Sequence, residues 1–103
     1  MRRALQYIDD NLDLPITVAD IARAAGLSTR GLYAGFQRDL DMSPMIYLRS
    51  ARLSAAHDEL GEADPAITGV DEIAARWGFV DPKRFAKHYT AVFGESPEVT
   101  LQL

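Results

Sequence analysis

One stretch of this chain is written twice. Val18-Ala19-Asp20-Ile21-Ala22-Arg23-Ala24-Ala25-Gly26-Leu27 returns as Val70-Asp71-Glu72-Ile73-Ala74-Ala75-Arg76-Trp77-Gly78-Phe79. Leu32, Phe36 and Leu40, then Ser43-Pro44, return as Phe85, Tyr89 and Phe93, then Ser96-Pro97. The offset between copies is 52 residues before the glycine and 53 after it, so the second copy carries one extra residue in its turn. A short helix, a glycine turn and a second helix with apolar residues four apart is the sequence form of a helix-turn-helix. Two of them in one short chain point to a reader of double-stranded DNA.

With 103 residues, 48% of them apolar, the chain suits one compact domain, or two small lobes that lean on shared structure. No apolar run approaches the roughly 20 residues that span a bilayer, so no membrane partner is expected. Met1-Arg2-Arg3 has no apolar segment behind it, which argues against a secretory signal. The absence of cysteine excludes disulfides and thiolate metal sites and fits a cytoplasmic location. A net charge of −4 is unusual for a nucleic-acid binder, but the charges are segregated. Acidic residues gather at Asp9, Asp10 and Asp13, at Asp58, Glu59, Glu62 and Asp64, and at Asp71 and Glu72. Basic ones fall at the turns and second helices: Arg30, Arg38, Arg49, Arg52, Lys83, Arg84 and Lys87.

Leu5, Ile8 and Leu12 recur at helical spacing and predict a first helix from Arg3 to about Leu12. Thr17 and Asp20 form an N-terminal capping pair for a second helix that stops at Gly26. Ser28 caps a third over Thr29 to Leu40. Ser43-Pro44 opens the longest helix, to about Leu60, apolar on more than one side and so expected between two partners. Gly61 to Gly69 reads as a linker. The second copy predicts a helix from Val70 to about Trp77, another from Asp81-Pro82 to about Phe93, and a short last one from Ser96-Pro97. No segment has a strand's period of two. The architecture is all-α.

On the third helix Leu32, Phe36 and Leu40 make the apolar stripe, while Arg30, Ala34 and Gln37 lie opposite, with Tyr33 and Arg38 at the margins. On the sixth, Phe85, Tyr89 and Phe93 are the stripe and Lys83, Lys87 and Thr90 lie opposite. A helix anchored on one side and polar on the other is what a major groove accepts. Base contacts are therefore expected from Arg30, Tyr33, Ala34, Gln37, Lys83 and Lys87, Ala34 only as an apolar contact such as a thymine methyl. Phosphate contacts are expected from Ser28, Thr29, Arg38, Arg49, Arg84 and Thr90. Arg38, Arg49, Arg52 and Arg84 suit intramolecular ion pairs equally well, and Arg52, inside the fourth helix, reads as structural. Gly31 and Gly35 each cost a helix roughly 1 kcal/mol relative to alanine; close packing or room for a DNA backbone would explain them.

Signals for catalysis are poor. His57 and His88 have no metal-ligand spacing, the carboxylate pairs fall on helix surfaces, and the glycines form no phosphate cradle. No enzyme activity, metal or cofactor is expected.

These residues resemble the DNA-binding domain of the AraC/XylS-type bacterial transcription regulators, from about Ala4 to Pro97. The resemblance is carried by Ile21-Ala22, Gly26-Leu27-Ser28, Leu32, Phe36, Ser43-Pro44, Tyr47-Leu48, Arg52-Leu53, Ala56 and Leu60 in the first half. In the second it is carried by Ile73-Ala74, Gly78-Phe79, Phe85, Tyr89, Phe93-Gly94 and Ser96-Pro97, and by the extra turn residue. It implies about seven helices in two homeodomain-like helix-turn-helix lobes (1–42 and 61–103) joined by a long central helix (43–60). It also implies two recognition helices, about 29–40 and 82–93, in successive major-groove segments. Family members usually activate transcription beside a promoter and sometimes contact RNA polymerase. Positions similar to the family's base readers fall on Arg30, Tyr33 and Ala34 and on Pro82, Lys83 and Lys87.

The chain departs from the family's pattern at several positions. Asp41 replaces the glycine before the first Ser-Pro, which predicts a less tightly turned helix end. Asp81 stands where serine is common and brings a negative charge near phosphate. Pro82 can make no side-chain hydrogen bond, so the second lobe leans on Lys83 and Lys87. Val99-Thr100-Leu101 replaces an aromatic residue followed by arginine, which predicts a short or altered last helix without its phosphate contact. Family members are commonly about three times longer, with a sensing or dimerising domain on the N-terminal side. The expectation is an excised C-terminal piece lacking that domain, with a stand-alone member as the other option. A contrasting reading is a helical protein-interaction module that contacts RNA polymerase or a partner domain without strong DNA binding. The two copies share a core and differ on the face that would meet DNA, which fits an asymmetric site better than a palindrome.

Overall fold

The computed structural model describes residues 1–102, and every regular element among them is an α-helix. The first, α1 (Arg2–Asp10), ends two residues sooner than the apolar spacing predicts. Asn11 stops it: the side-chain amide donates to the Tyr7 carbonyl at 2.8 Å, and the backbone leaves helical geometry at φ −126. Helix α2 (Val18–Ala25) begins with the expected reciprocal cap, Asp20 N–H donating to Thr17 Oγ1 at 3.1 Å and Thr17 N–H to Asp20 Oδ2 at 2.9 Å. It ends at Gly26, whose φ of 70 lets Leu27 N–H reach back to the Ala22 carbonyl at 2.9 Å.

Helix α3 (Thr29–Leu40) has the predicted bounds. Its end corrects the expectation about Asp41, which takes the left-handed conformation (φ 54, ψ 39) that glycine would supply. A short polar side chain tolerates that geometry by bonding locally, and here Gln37 Nε2–H donates to Asp41 Oδ1 at 2.7 Å. The helix end is tightly turned without glycine.

Helix α4 (Pro44–Glu62) is capped by Ser43, whose Oγ accepts from Ile46 N–H, and runs two residues beyond the predicted end. Helix α5 (Val70–Arg76) stops one residue early because Trp77 leaves the helix at φ −98. Asp81 caps α6 (Pro82–Phe93), its Oδ1 accepting from Lys83 and Arg84 N–H, and Gly94 ends it at φ 75. The last helix, α7 (Pro97–Gln102), runs to the end of the described residues.

The chain forms two compact units, one through Ala51 and one from Arg52 on. In the first, α2 packs on α1 and α3 around Ala4, Ile8, Ile21, Leu32 and Phe36, with Leu48 of α4 closing the core. In the second, α5, α6 and α7 pack together around Ile73, Phe85 and Tyr89, with Leu53, Ala56 and Leu60 of α4. The many apolar sides of α4 are thereby explained, since successive turns serve different cores. Each fully buried Leu or Phe of this kind contributes about 1.5–3 kcal/mol relative to exposure.

Candidate nucleic-acid interface

In the first unit, α3 separates its faces as its spacing demands. Leu32, Gly35 and Phe36 are buried, while Arg30, Tyr33, Ala34 and Gln37 are exposed along the other side. The cap residues Ser28 and Thr29 are exposed at its start, Arg38 near its end, and Arg49 on α4. Both glycines have close neighbours. A Cβ at Gly35 would come 2.9 Å from Met1 Cε, and one at Gly31 would come 3.3 Å from the capping Ser28 Oγ.

Two of the exposed residues are engaged locally. Gln37 is held by Asp41, and Arg38 Nε–H donates to Asp39 at 2.9 Å, a pair that raises the pKa of Arg38 and lowers that of Asp39. For Arg38 to grip a phosphate it must exchange one anion for another. The i,i+4 spacing of Gln37 and Asp41 announces their pair, whereas adjacency alone does not announce that of Arg38 and Asp39.

In the second unit, Phe85 and Tyr89 are buried while Lys83, Arg84, Lys87 and Thr90 are exposed on α6. The turn before α6 is shaped by Gly78 at φ 89, where a Cβ would come within 3.3 Å of the Arg52 guanidinium. Arg52 is half-buried against this turn, and burial lowers its pKa. The side chain just before the cap, Val80, is 93% exposed.

A chain of hydrogen bonds that the sequence did not reveal holds α6 from behind. Tyr89 Oη–H donates to Thr100 Oγ1 at 2.8 Å, and Thr100 donates to Glu95 Oε2 at 2.5 Å. The tyrosine proton being spent there, Tyr89 Oη accepts from His57 Nδ1–H, 2.7 Å away. The His57 ring stacks on Phe93 with centroids 4.0 Å apart. Burial raises the pKa of Tyr89, keeping it a neutral donor. Thr100, one of the residues departing from the family pattern, is thus a buried partner for the recognition helix. Beside it, Trp77 Nε1–H donates to Glu59 Oε1 at 2.9 Å and Arg76 pairs with Glu59 Oε2, tying the end of α5 to α4.

All twelve residues expected to contact DNA are therefore exposed. Among the described residues no group of His, Asp and Glu side chains is placed to hold a metal ion, and no helix is long and apolar enough to cross a membrane.

A family model described as a helix-turn-helix domain matches residues 21–102. A probable AraC family transcriptional regulator from Rhodopseudomonas palustris CGA009 is similar in structure, with a TM-score of 0.88 at 38% identity over 98% of this chain and 93% of that one. The chain belongs to the AraC/XylS-type helix-turn-helix family. The probable thc operon regulatory protein of Rhodococcus erythropolis is 44% identical over 102 residues, 99% of this chain but 31% of that relative, so the chain spans about a third of its length. The DNA-binding domain of AdpA, solved in complex with a target DNA, superposes with a TM-score of 0.85 at 25% identity over 98% of this chain and 88% of that one. Domains of the AraC/XylS type read duplex DNA in a sequence-specific way for transcription regulation. Seven helices without strands among the described residues are the architecture of that domain.

Proposed function

We propose that this chain binds an asymmetric duplex site for transcription regulation, with residues 1–42 and 61–103 as its two reading lobes and 43–60 as the helix between them. Helices α3 and α6 lie in successive major-groove segments. Arg30, Tyr33, Ala34 and Gln37 read bases from the first, and Lys83 and Lys87 from the second. Ser28, Thr29, Arg38, Arg49, Arg84 and Thr90 position the lobes on phosphates, which carry no sequence information themselves. The observation that carries this reading is the matched exposure of α3 and α6: each buries its apolar stripe and turns its polar positions outward after a turn that contains a glycine. Arginine bonds guanine O6 and N7 with two parallel donors, and lysine reaches the same acceptors or a phosphate.

Binding to promoter-derived duplexes, measured at several salt concentrations, tests the proposal. Affinity falls as salt rises, with a logarithmic slope of about −0.9 for each phosphate neutralised. No salt-dependent binding to any duplex overturns it. The acidic balance favours a second reading, a protein-interaction module contacting RNA polymerase, since Asp58, Glu62, Asp71 and Glu72 are all exposed. Capture of RNA polymerase with no duplex binding would select that reading.

A further inference from the structure

The residue by which the second copy exceeds the first is Val80. In the first turn Leu27 is followed directly by the cap Ser28, and in the second Phe79 is followed by Val80 and then the cap Asp81. A single insertion in a tight turn would ordinarily be glycine or a polar residue, whose backbone or side chain can bond locally. Here it is a β-branched apolar side chain, 93% exposed, the highest exposure of any large apolar residue among those described.

Its neighbours sharpen the chemistry. Asp81 turns its carboxylate onto the helix start, its Oδ1 accepting from Lys83 and Arg84 N–H at 3.1 and 3.3 Å. Pro82, the next residue, is exposed and has neither an N–H nor a polar side chain. The leading edge of α6 therefore presents two apolar side chains, Val80 and Pro82, with the cations Lys83, Arg84 and Lys87 following. The N-terminal end of a recognition helix is the part that meets base edges. The apolar group a major groove offers there is the C5 methyl of thymine.

We propose that Val80 is a specificity-determining residue that packs its methyl groups against a thymine C5 methyl, giving the second lobe a preference for an A·T pair at the leading edge of α6. The inference rests on the DNA-reading function proposed above. It makes the two lobes unlike in kind: the first opens on Arg30, a donor suited to guanine, and the second on an apolar tip.

The test selects binding sequences from a random duplex pool with the wild-type chain, Val80→Ala and Lys83→Ala. Each thymine of the selected duplex is then changed singly to uracil, which removes only the methyl. In the part of the motif that Lys83→Ala relaxes, one thymine-to-uracil change weakens wild-type binding about three- to fivefold, the worth of roughly one buried methyl. Val80→Ala binds the thymine and uracil duplexes equally, because its penalty is already taken. If wild type tolerates uracil everywhere, or Val80→Ala keeps the full penalty, the inference is overturned and DNA reading stands. If the wild-type chain enriches no sequence, the DNA reading fails and takes the inference with it. Circular dichroism of Val80→Ala, an exposed turn substitution, confirms that the fold is retained.

Discussion

The two lobes bury the same stripe by different means. In the first, Phe36 packs edge-on to Tyr47 with centroids 5.7 Å apart, and the side-chain hydrogen bonds around α2 and α3 are local caps and pairs no more than four residues apart. In the second, the residue matching Phe36 is Tyr89, and its hydroxyl joins α6 to His57 on α4 and to Thr100 on α7. One added oxygen converts an apolar contact into a polar chain across three helices. The comparison teaches that duplication preserved the frame that aims each helix, while the fastening of that frame and the groups on its outer face diverged separately.

The largest effect that can break this comparison is removal of the apolar anchor. Phe36→Ala should cost the first lobe about 3–5 kcal/mol, and amide exchange should open α3 far more than α6. Equal loss of protection in both helices would mean that the two cores unfold as one. Next comes Tyr89→Phe, which leaves Thr100 and His57 without the shared hydroxyl and should destabilise the second lobe by about 1–3 kcal/mol, the cost of buried polar groups left unpaired. Thermal unfolding followed at Trp77 reads it, and an unchanged midpoint would reduce the polar chain to decoration.

The caps sharpen the contrast on a smaller scale. Ser28→Ala and Asp81→Ala should each cost about 1 kcal/mol of stability, but only the second removes a carboxylate from a turn proposed to face DNA. Duplex affinity at low salt should therefore rise for Asp81→Ala despite its lower stability, and should not rise for Ser28→Ala. Smallest is a pH effect confined to the first lobe. The hydrogen bond from Thr17 N–H holds the pKa of Asp20 below its ordinary value. Its contribution is complete above the unfolded carboxylate range, about pH 4, and is lost as pH falls through the lower folded value. An NMR titration should place the Asp20 midpoint below that of an unfolded peptide, and equality of the two would remove the cap from the account.

Local chemistry was legible in the sequence where it repeats. The bounds of α3, the reciprocal cap of α2, the Pro82 start of α6 and the outward placement of Arg30, Tyr33, Gln37, Lys83 and Lys87 follow from caps and from a stripe four residues apart. Pairings between distant residues were not legible. Tyr89 read only as part of an apolar stripe, since its hydroxyl partners sit 11 and 32 residues away in sequence and no periodicity announces them. Asp41 misled because the family pattern has glycine where geometry only requires a tolerated left-handed residue. Val80 was counted as the extra residue without being named, because exposure in a turn is a property of the folded backbone.

The central claim, that one chain reads an asymmetric site with two unlike lobes, is tested most directly by selecting duplexes with wild type, Arg30→Ala and Lys83→Ala side by side. The account predicts a non-palindromic motif in two blocks, with each variant losing roughly 1–3 kcal/mol of discrimination in a different block. A palindromic motif, or two variants that relax the same positions or weaken all sequences alike, would contradict it.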